Sequence, residues 1–382
     1  DTNMKKTKIR SALTAALCVF ALTGCTASDN TPKPENVTNT TTTKISTTAP
    51  VSTTASAGTT ASENTTVSAT AADTGAPDGL NTVKLSEGIY SLGYSGDYFL
   101  DQYLEADIKT VEELDSWFME NLTDGISTEG SEYDTACSTF TVTTDDDKHI
   151  FGRNYDIGAT DAMFILTVPE NDYSSIGIVD LSHLNIGQGC ENAMGSGKSQ
   201  TLLKAAPYCI SDGINEKGLG VSLLKLDNRH SVNDTDKHDL LVYISLRALL
   251  DKCADVNEAV DFLSEYDIYS PSAYSYHIFL TDKSGRSAVA EWIDGELTIV
   301  EDDAATNFIL FEAPPTRLDA RYVRMRKALD DKSVSSKDDA MNLLESVSQK
   351  HATSWSAVYD LGEFTVEACF NEDYDNKYEF GF

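Results

Sequence analysis

The sequence predicts a layered α+β protein, on three observations. Between residues 137 and 225, five runs alternate apolar and polar residues with the period of a strand. A pair of helical patterns follows, "HDLLVYISLRALLDKC" at 238–253 and "VNEAVDFLSEY" at 256–266, before strand-like runs return at 274–300. A second helical pair, near 317–330 and 336–350, separates "NFILF" from the terminal strands "WSAVYDL" and "FTVEACF". Strands in groups and helices in groups pack as separate layers, whereas a doubly wound parallel sheet alternates them singly.

The chain opens differently. From Met4 it reads "MKKTKIRSALTAALCVFALTGC": Lys5, Lys6, Lys8 and Arg10, then an apolar stretch too short to span a membrane as a stable helix. This resembles a bacterial lipoprotein signal, with "LTGC" as lipobox. That resemblance implies a diacylglycerol on Cys25, a new N-terminus there, and a lipid anchor on the outer face of the bacterial cell membrane. The alternative is an ordinary secretory signal with an incidental cysteine. Residues 26–75 hold 23 Ser or Thr in 50 positions and no aromatic, so they bury too little to offset chain entropy. A flexible stalk over 26–84 is expected, with folding starting near Leu85.

The stretch 85–136 carries a strand at 88–94 and an amphipathic helix at 110–122, where Thr110 and Glu113 suit a capping box. Asp255 is a plausible cap for the helix at 256–266. A net charge of −32 argues against nucleic acid, because phosphate binding wants clustered Lys and Arg.

One thiol stands in an informative place. "YDTACSTFTVTTDDDKHIFGRNYD" at 133–156 reads as a hairpin with "DDD" at its tip, and a turn centred near Asp146 sets Cys137 opposite Tyr155. Arg153 and Asp156 then flank the cysteine. A guanidinium beside a thiol favours the thiolate, and a carboxylate suits an ammonium group. The uncut chain has no such group, but cleavage between Ala136 and Cys137 would create an α-amine. That amine could serve as general base for its own thiol, with no histidine.

"CSTF" followed by "FGRNYD", with Arg153 sixteen and Asp156 nineteen positions after Cys137, resembles the N-terminal-nucleophile hydrolases of the choloylglycine hydrolase group. "SDGINEKGLGVSLL" at 211–224 is similar to that group's second signature. Asn307 in "TNFIL" matches its oxyanion-hole asparagine, and Arg321 in "DARYVRMRKAL" its late arginine. The resemblance covers about residues 88–382 and implies a four-layer αββα sandwich over 137–382, preceded by a pro-segment at 85–136. It also implies hydrolysis of a linear amide bond in a small N-acyl substrate. Cys137 would be the nucleophile, Asp156 would orient the amine, Asn307 would donate to the oxyanion, and Arg153 and Arg321 would supply positive charge. No cofactor and no metal is implied.

Two departures matter. Bile salt hydrolases of the group carry an asparagine where this chain has Lys225, and in them the cysteine follows the initiator Met, whereas about 110 residues separate Cys25 from Cys137. The ceramidase-like members have such a pro-segment and cut it themselves. Other signals fail. "GSGKS" at 195–199 lacks the phosphate-loop glycine, since residue 192 is Asn, and reads as a surface loop. No pair among His149, His183, His230, His238, His277 and His351 has zinc-site spacing. Asn215 reads as a turn residue, and one disulfide among Cys190, Cys209, Cys253 and Cys369 stays open. Acyl transfer to an amine and non-catalytic binding remain alternatives, and the loops at 157–162, 180–204 and 226–236 are expected to set specificity without revealing it.

Overall fold

The computed structural model describes residues 65–66, 79–128, 136–226, 235–270, 274–311 and 319–381. The signal at 4–25 with Cys25, and the stalk apart from 65–66 and 79–84, lie outside the described residues.

Two large sheets dominate. The first runs β1 (Thr65–Thr66), β18 (Tyr378–Gly381), β17 (Thr365–Phe370), β16 (Thr353–Asp360), β5 (His149–Asp156), β4 (Ala136–Thr143) and β15 (Ala304–Ala305). The second runs β14 (Glu296–Val300), β13 (Ser287–Ile293), β12 (Ser275–Asp282), β9 (Leu219–Leu226), β8 (Ile210–Asn215), β7 (Ser175–Asp180), β6 (Ala162–Val168), β3 (Ile89–Ser95) and β2 (Leu80–Ser86). Helices α4 (Val242–Lys252) and α5 (Val256–Ser264) pack on the second sheet, α6 (Ala320–Asp330) and α7 (Lys337–Val347) on the first.

Three apolar cores separate these layers. One lies under α4 and α5, one under α6 and α7 around Phe140, Met325 and Leu344. Between the sheets Phe151 stacks on Phe279 and Tyr359, with ring centroids 6.1 and 5.1 Å away. Both sheets are thus covered on both faces, which is why β5, β8, β9 and β16 are buried almost throughout. Helix, sheet, sheet and helix layers make the αββα sandwich.

Local chemistry explains the boundaries. Thr110 and Glu113 form the expected capping box on α2 (Val111–Asn121), and Asp255 accepts from the Asn257 and Glu258 amides at the start of α5. Three expectations change. Residues 239–241, read as helix, form β10 (Asp239–Leu241), because their backbone pairs with β11 (Asp267–Tyr269); the helix begins at Val242. The "GSGKS" loop instead starts α3 (Gly197–Leu202), because the Ser196 hydroxyl accepts the Ser199 amide. Strand β2 also takes in residues 80–84 of the stretch read as stalk, by pairing with β3.

The segment before Cys137 is woven into the body. Strand β3 lies parallel to β6 from Ile89 to Ser95, and α1 (Leu100–Leu104) and α2 add Tyr103, Trp117 and Phe118 to an aromatic cluster around Tyr208. The Tyr98 hydroxyl donates to buried Asp251, which Arg247 also holds, and Tyr208 donates to the Tyr98 carbonyl at 2.6 Å. Each large side chain buried this way contributes roughly 1.5–3 kcal/mol.

Candidate active site

The hairpin β4–β5 has the register the sequence predicts. All its pairs keep one sum of residue numbers, from Ala136 opposite Asp156 to Thr143 opposite His149, so Cys137 faces Tyr155. The turn closes on Asp147, whose φ of 61° an aspartate tolerates. Gly152 is required inside β5: a Cβ there would lie 2.6 Å from the Phe140 ring that covers it.

Cys137 is fully buried on the inter-sheet face. Arg153 Nη2 donates to its Sγ at 2.9 Å and to the Leu223 carbonyl at 2.6 Å. Behind it, Arg153 Nε lies 3.5 Å from Asp212 Oδ2, and neither side chain is exposed. Trp355 Nε1 donates to Asp212 at 3.2 Å and the Tyr359 hydroxyl donates to its other oxygen. Burial pushes the Asp212 carboxyl up, against the pull of Arg153, Tyr359 and Trp355. For Arg153, burial favours the neutral form, yet the surrounding Cys137, Asp212 and Asp156 hold its pKa above the ordinary value.

The backbone nitrogen of Cys137 is held from another direction. It donates to Asn307 Oδ1 at 2.7 Å, and Asn307 Nδ2 donates to the Lys225 carbonyl at 2.8 Å, leaving one amide hydrogen uncommitted to that bond. Arg321, near the start of α6, joins the set together: Nη2 donates to Asn307 Oδ1 at 2.9 Å and Nη1 to Asp156 Oδ2 at 3.1 Å. Asp319 anchors the same guanidinium at 2.8 Å. Asp156 also accepts from Thr353 Oγ1 at 2.5 Å and Gln349 Nε2 at 3.0 Å. Burial still raises its pKa, outweighing those bonds and the two arginines.

Cys137, Arg153, Asp156, Asn307 and Arg321 therefore meet in one network, although the last stands 184 positions after the first. Sequence reasoning missed Asp212, Asp319, Gln349 and Thr353. Asp212 did leave a signal: an acid within a strand whose every residue is buried needs a buried cation. Asn215 is a turn residue, accepting the Lys217 and Leu219 amides. Cys137, Cys190, Cys209, Cys253 and Cys369 are all free thiols. Burial pushes Cys253 and Cys369 up to about 12, so neither is a nucleophile at neutral pH. Among the described residues no cluster of three His, Cys, Asp or Glu side chains could hold a metal ion, and no helix is long and apolar enough to cross a membrane.

Residues 137–341 match the sequence profile of the linear amide C–N hydrolases, choloylglycine hydrolase family, a match that begins at Cys137 itself. Among solved structures, the penicillin V acylase from Agrobacterium tumefaciens is 18% identical with a TM-score of 0.46, over 61% of this chain and 83% of that one. A mutant conjugated bile acid hydrolase from Clostridium perfringens is 18% identical with a TM-score of 0.47, over 64% of this chain and 92% of that one. No curated protein matches the chain.

Proposed function

The chain belongs to the choloylglycine hydrolase family of linear amide C–N hydrolases, and from that premise we propose that it hydrolyses a small N-acyl amide through Cys137 as an N-terminal nucleophile. The observation that carries the reading is the pairing of Arg153 with the Cys137 sulfur while Asn307 holds the Cys137 nitrogen. Thiol and future amine are gripped separately, as a residue using both groups requires.

In the uncut chain the thiol attacks the Ala136 carbonyl, the C–N bond breaks, and the Cys137 nitrogen leaves as an amine. Water then releases the Ala136 carboxylate and restores the thiol. In turnover the α-amine takes the thiol proton as Sγ bonds to the substrate carbonyl. The oxyanion takes a hydrogen bond from the remaining Asn307 amide hydrogen and from a backbone N–H. The ammonium returns its proton to the leaving amine, and water resolves the thioester with the same amine as base. Asp156, tied to Asn307 through Arg321, keeps compensating negative charge near the ammonium.

Cys25 would carry the lipid, and the stalk would hold the enzyme at the outer face of the membrane. The strands and aromatic side chains of 80–122 support a pro-segment that stays bound after cleavage. The test is incubation with conjugated bile salts, N-acyl amino acids, N-acyl homoserine lactones and penicillin V, measuring released acid and amine. Added amine separates transfer from hydrolysis. Release of acid by the unmodified protein and not by Cys137→Ala is expected; no release from any amide would contradict the reading.

A further inference from the structure

The residues around Asn307 hang from a buried pair on the opposite sheet. His277 on β12 and Glu291 on β13 are both fully buried, with His277 Nδ1 3.0 Å from Glu291 Oε1. Three bonds cross from this pair to the segment that carries Asn307. His277 Nε2 lies 2.9 Å from the Thr306 carbonyl oxygen, while Glu291 accepts the backbone N–H groups of Leu310 at 2.8 Å and Phe311 at 3.0 Å. The bonds fall on both sides of Asn307, one residue before it and three and four after it.

Both ring nitrogens of His277 are thus engaged, Nδ1 with the Glu291 carboxyl and Nε2 with the Thr306 carbonyl oxygen. Burial pushes the Glu291 carboxyl up, but His277 and the two amides prevail and hold it below its ordinary value. Such a pair is an expensive way to fill space. His277 is paired with Leu224, and Val289 and Phe279 are core residues of the same inter-sheet face, where an apolar pair would pack without desolvating two polar side chains. What apolar side chains cannot do is fix the direction of backbone groups in a segment with little sheet pairing of its own. Among the described residues 301–311, only Ala304 and Ala305 are in a strand.

We infer that His277 and Glu291 are positioning residues that clamp the 306–311 segment so that the Asn307 amide meets the Cys137 nitrogen. The inference rests on the hydrolase reading above and adds two residues that act through the segment carrying Asn307. Removing the clamp leaves Arg153 on the sulfur and lets Asn307 drift, so the loss falls on the chemical step and not on substrate binding.

The experiment uses two variants of the full chain. His277→Gln keeps one end of the clamp, and the paired His277→Leu with Glu291→Leu removes both partners so that no unpaired polar group stays buried. Each is assayed on the best substrate of the panel, alone and combined with Asn307→Ala. The clamp predicts a kcat at least about tenfold lower, with KM within about threefold, and less than about twofold further loss once Asn307 is alanine. Near-UV circular dichroism of the paired variant should match the unmodified protein; if it does not fold, His277→Gln carries the same criteria. A folded variant with kcat within about twofold of the unmodified enzyme overturns the inference. So does an equal fold-loss with and without Asn307. An unmodified protein inactive on every amide would instead sink the hydrolase reading.

Discussion

Arg153 donates from Nη2 to the sulfur of Cys137 at 2.9 Å, and its guanidinium is wholly buried. The two sit on adjacent strands, two residues out of direct opposition, because Arg153 pairs with Thr139 and Cys137 with Tyr155. On the proposed mechanism a cation held there would favour the thiolate while the amine moves the proton.

Arg153→Met should therefore lower kcat/KM by about 10²- to 10⁴-fold, and it leaves Asp212 buried without its cation. Breaking such a pair costs about 3–5 kcal/mol. Adding Asp212→Asn should restore much of the melting temperature and none of the activity. Recovered activity in the double variant would show that Arg153 only neutralises Asp212.

Asp156 gives a pH prediction with a definite sign. Burial raises its pKa above the ordinary 3.8, so the folded state binds this proton more tightly than the unfolded one. Its contribution to stability is then largest below pH 3.8 and declines as pH rises from there to the folded value. Activity runs the other way, because the ionised form is the partner of Arg321. The acid limb of kcat/KM should lie above pH 3.8 and change shape in Asp156→Asn. An unchanged limb would remove Asp156 from the mechanism.

Gly152→Ala would push a methyl into the Phe140 ring, 2.6 Å from the new carbon. Overpacking of this kind costs about 1–3 kcal/mol, read as a lower melting temperature. Since Gly152 precedes Arg153, activity should fall as well. A fully stable alanine variant would mean that Phe140 moves aside freely.

Anchoring is tested by Cys25→Ala. The variant should leave the membrane fraction and appear as soluble protein with its amidase activity intact. Retention in the membrane fraction would mean that the lipobox is misread.

Much of the site was legible because it depends on period and offset. The alternation of β4 and β5 fixes which side chains share a face, so the turn position alone set Cys137 against Tyr155 and brought Arg153 and Asp156 near. Asn307 and Arg321 were legible only by resemblance, since nothing local to "TNFIL" or "DARYVR" says that the two meet at Asp156. Asp212, Gln349 and Thr353 stayed hidden for a related reason. Their importance comes from contacts between distant parts of the chain, the Asp212 carboxylate of the other sheet behind Arg153 and the start of β16 with the residues before it beside Asp156, and such contacts leave no periodic trace. The early ends of the fold were misjudged at Leu80 and at Asp239, where a few residues become strand only because a partner strand is waiting.

The central claim is that the thiol becomes active by acquiring its own amine. Intact mass and N-terminal sequencing of the active protein test it most directly. The account predicts a fragment beginning at Cys137. The segment ending at Ala136 should co-purify with it until denaturant is added. Cys137→Ala should remain a single uncut chain without amidase activity, and Cys190→Ala should cut and turn over normally. An active enzyme whose chain is continuous through Ala136 and Cys137 would contradict the account and require a different base.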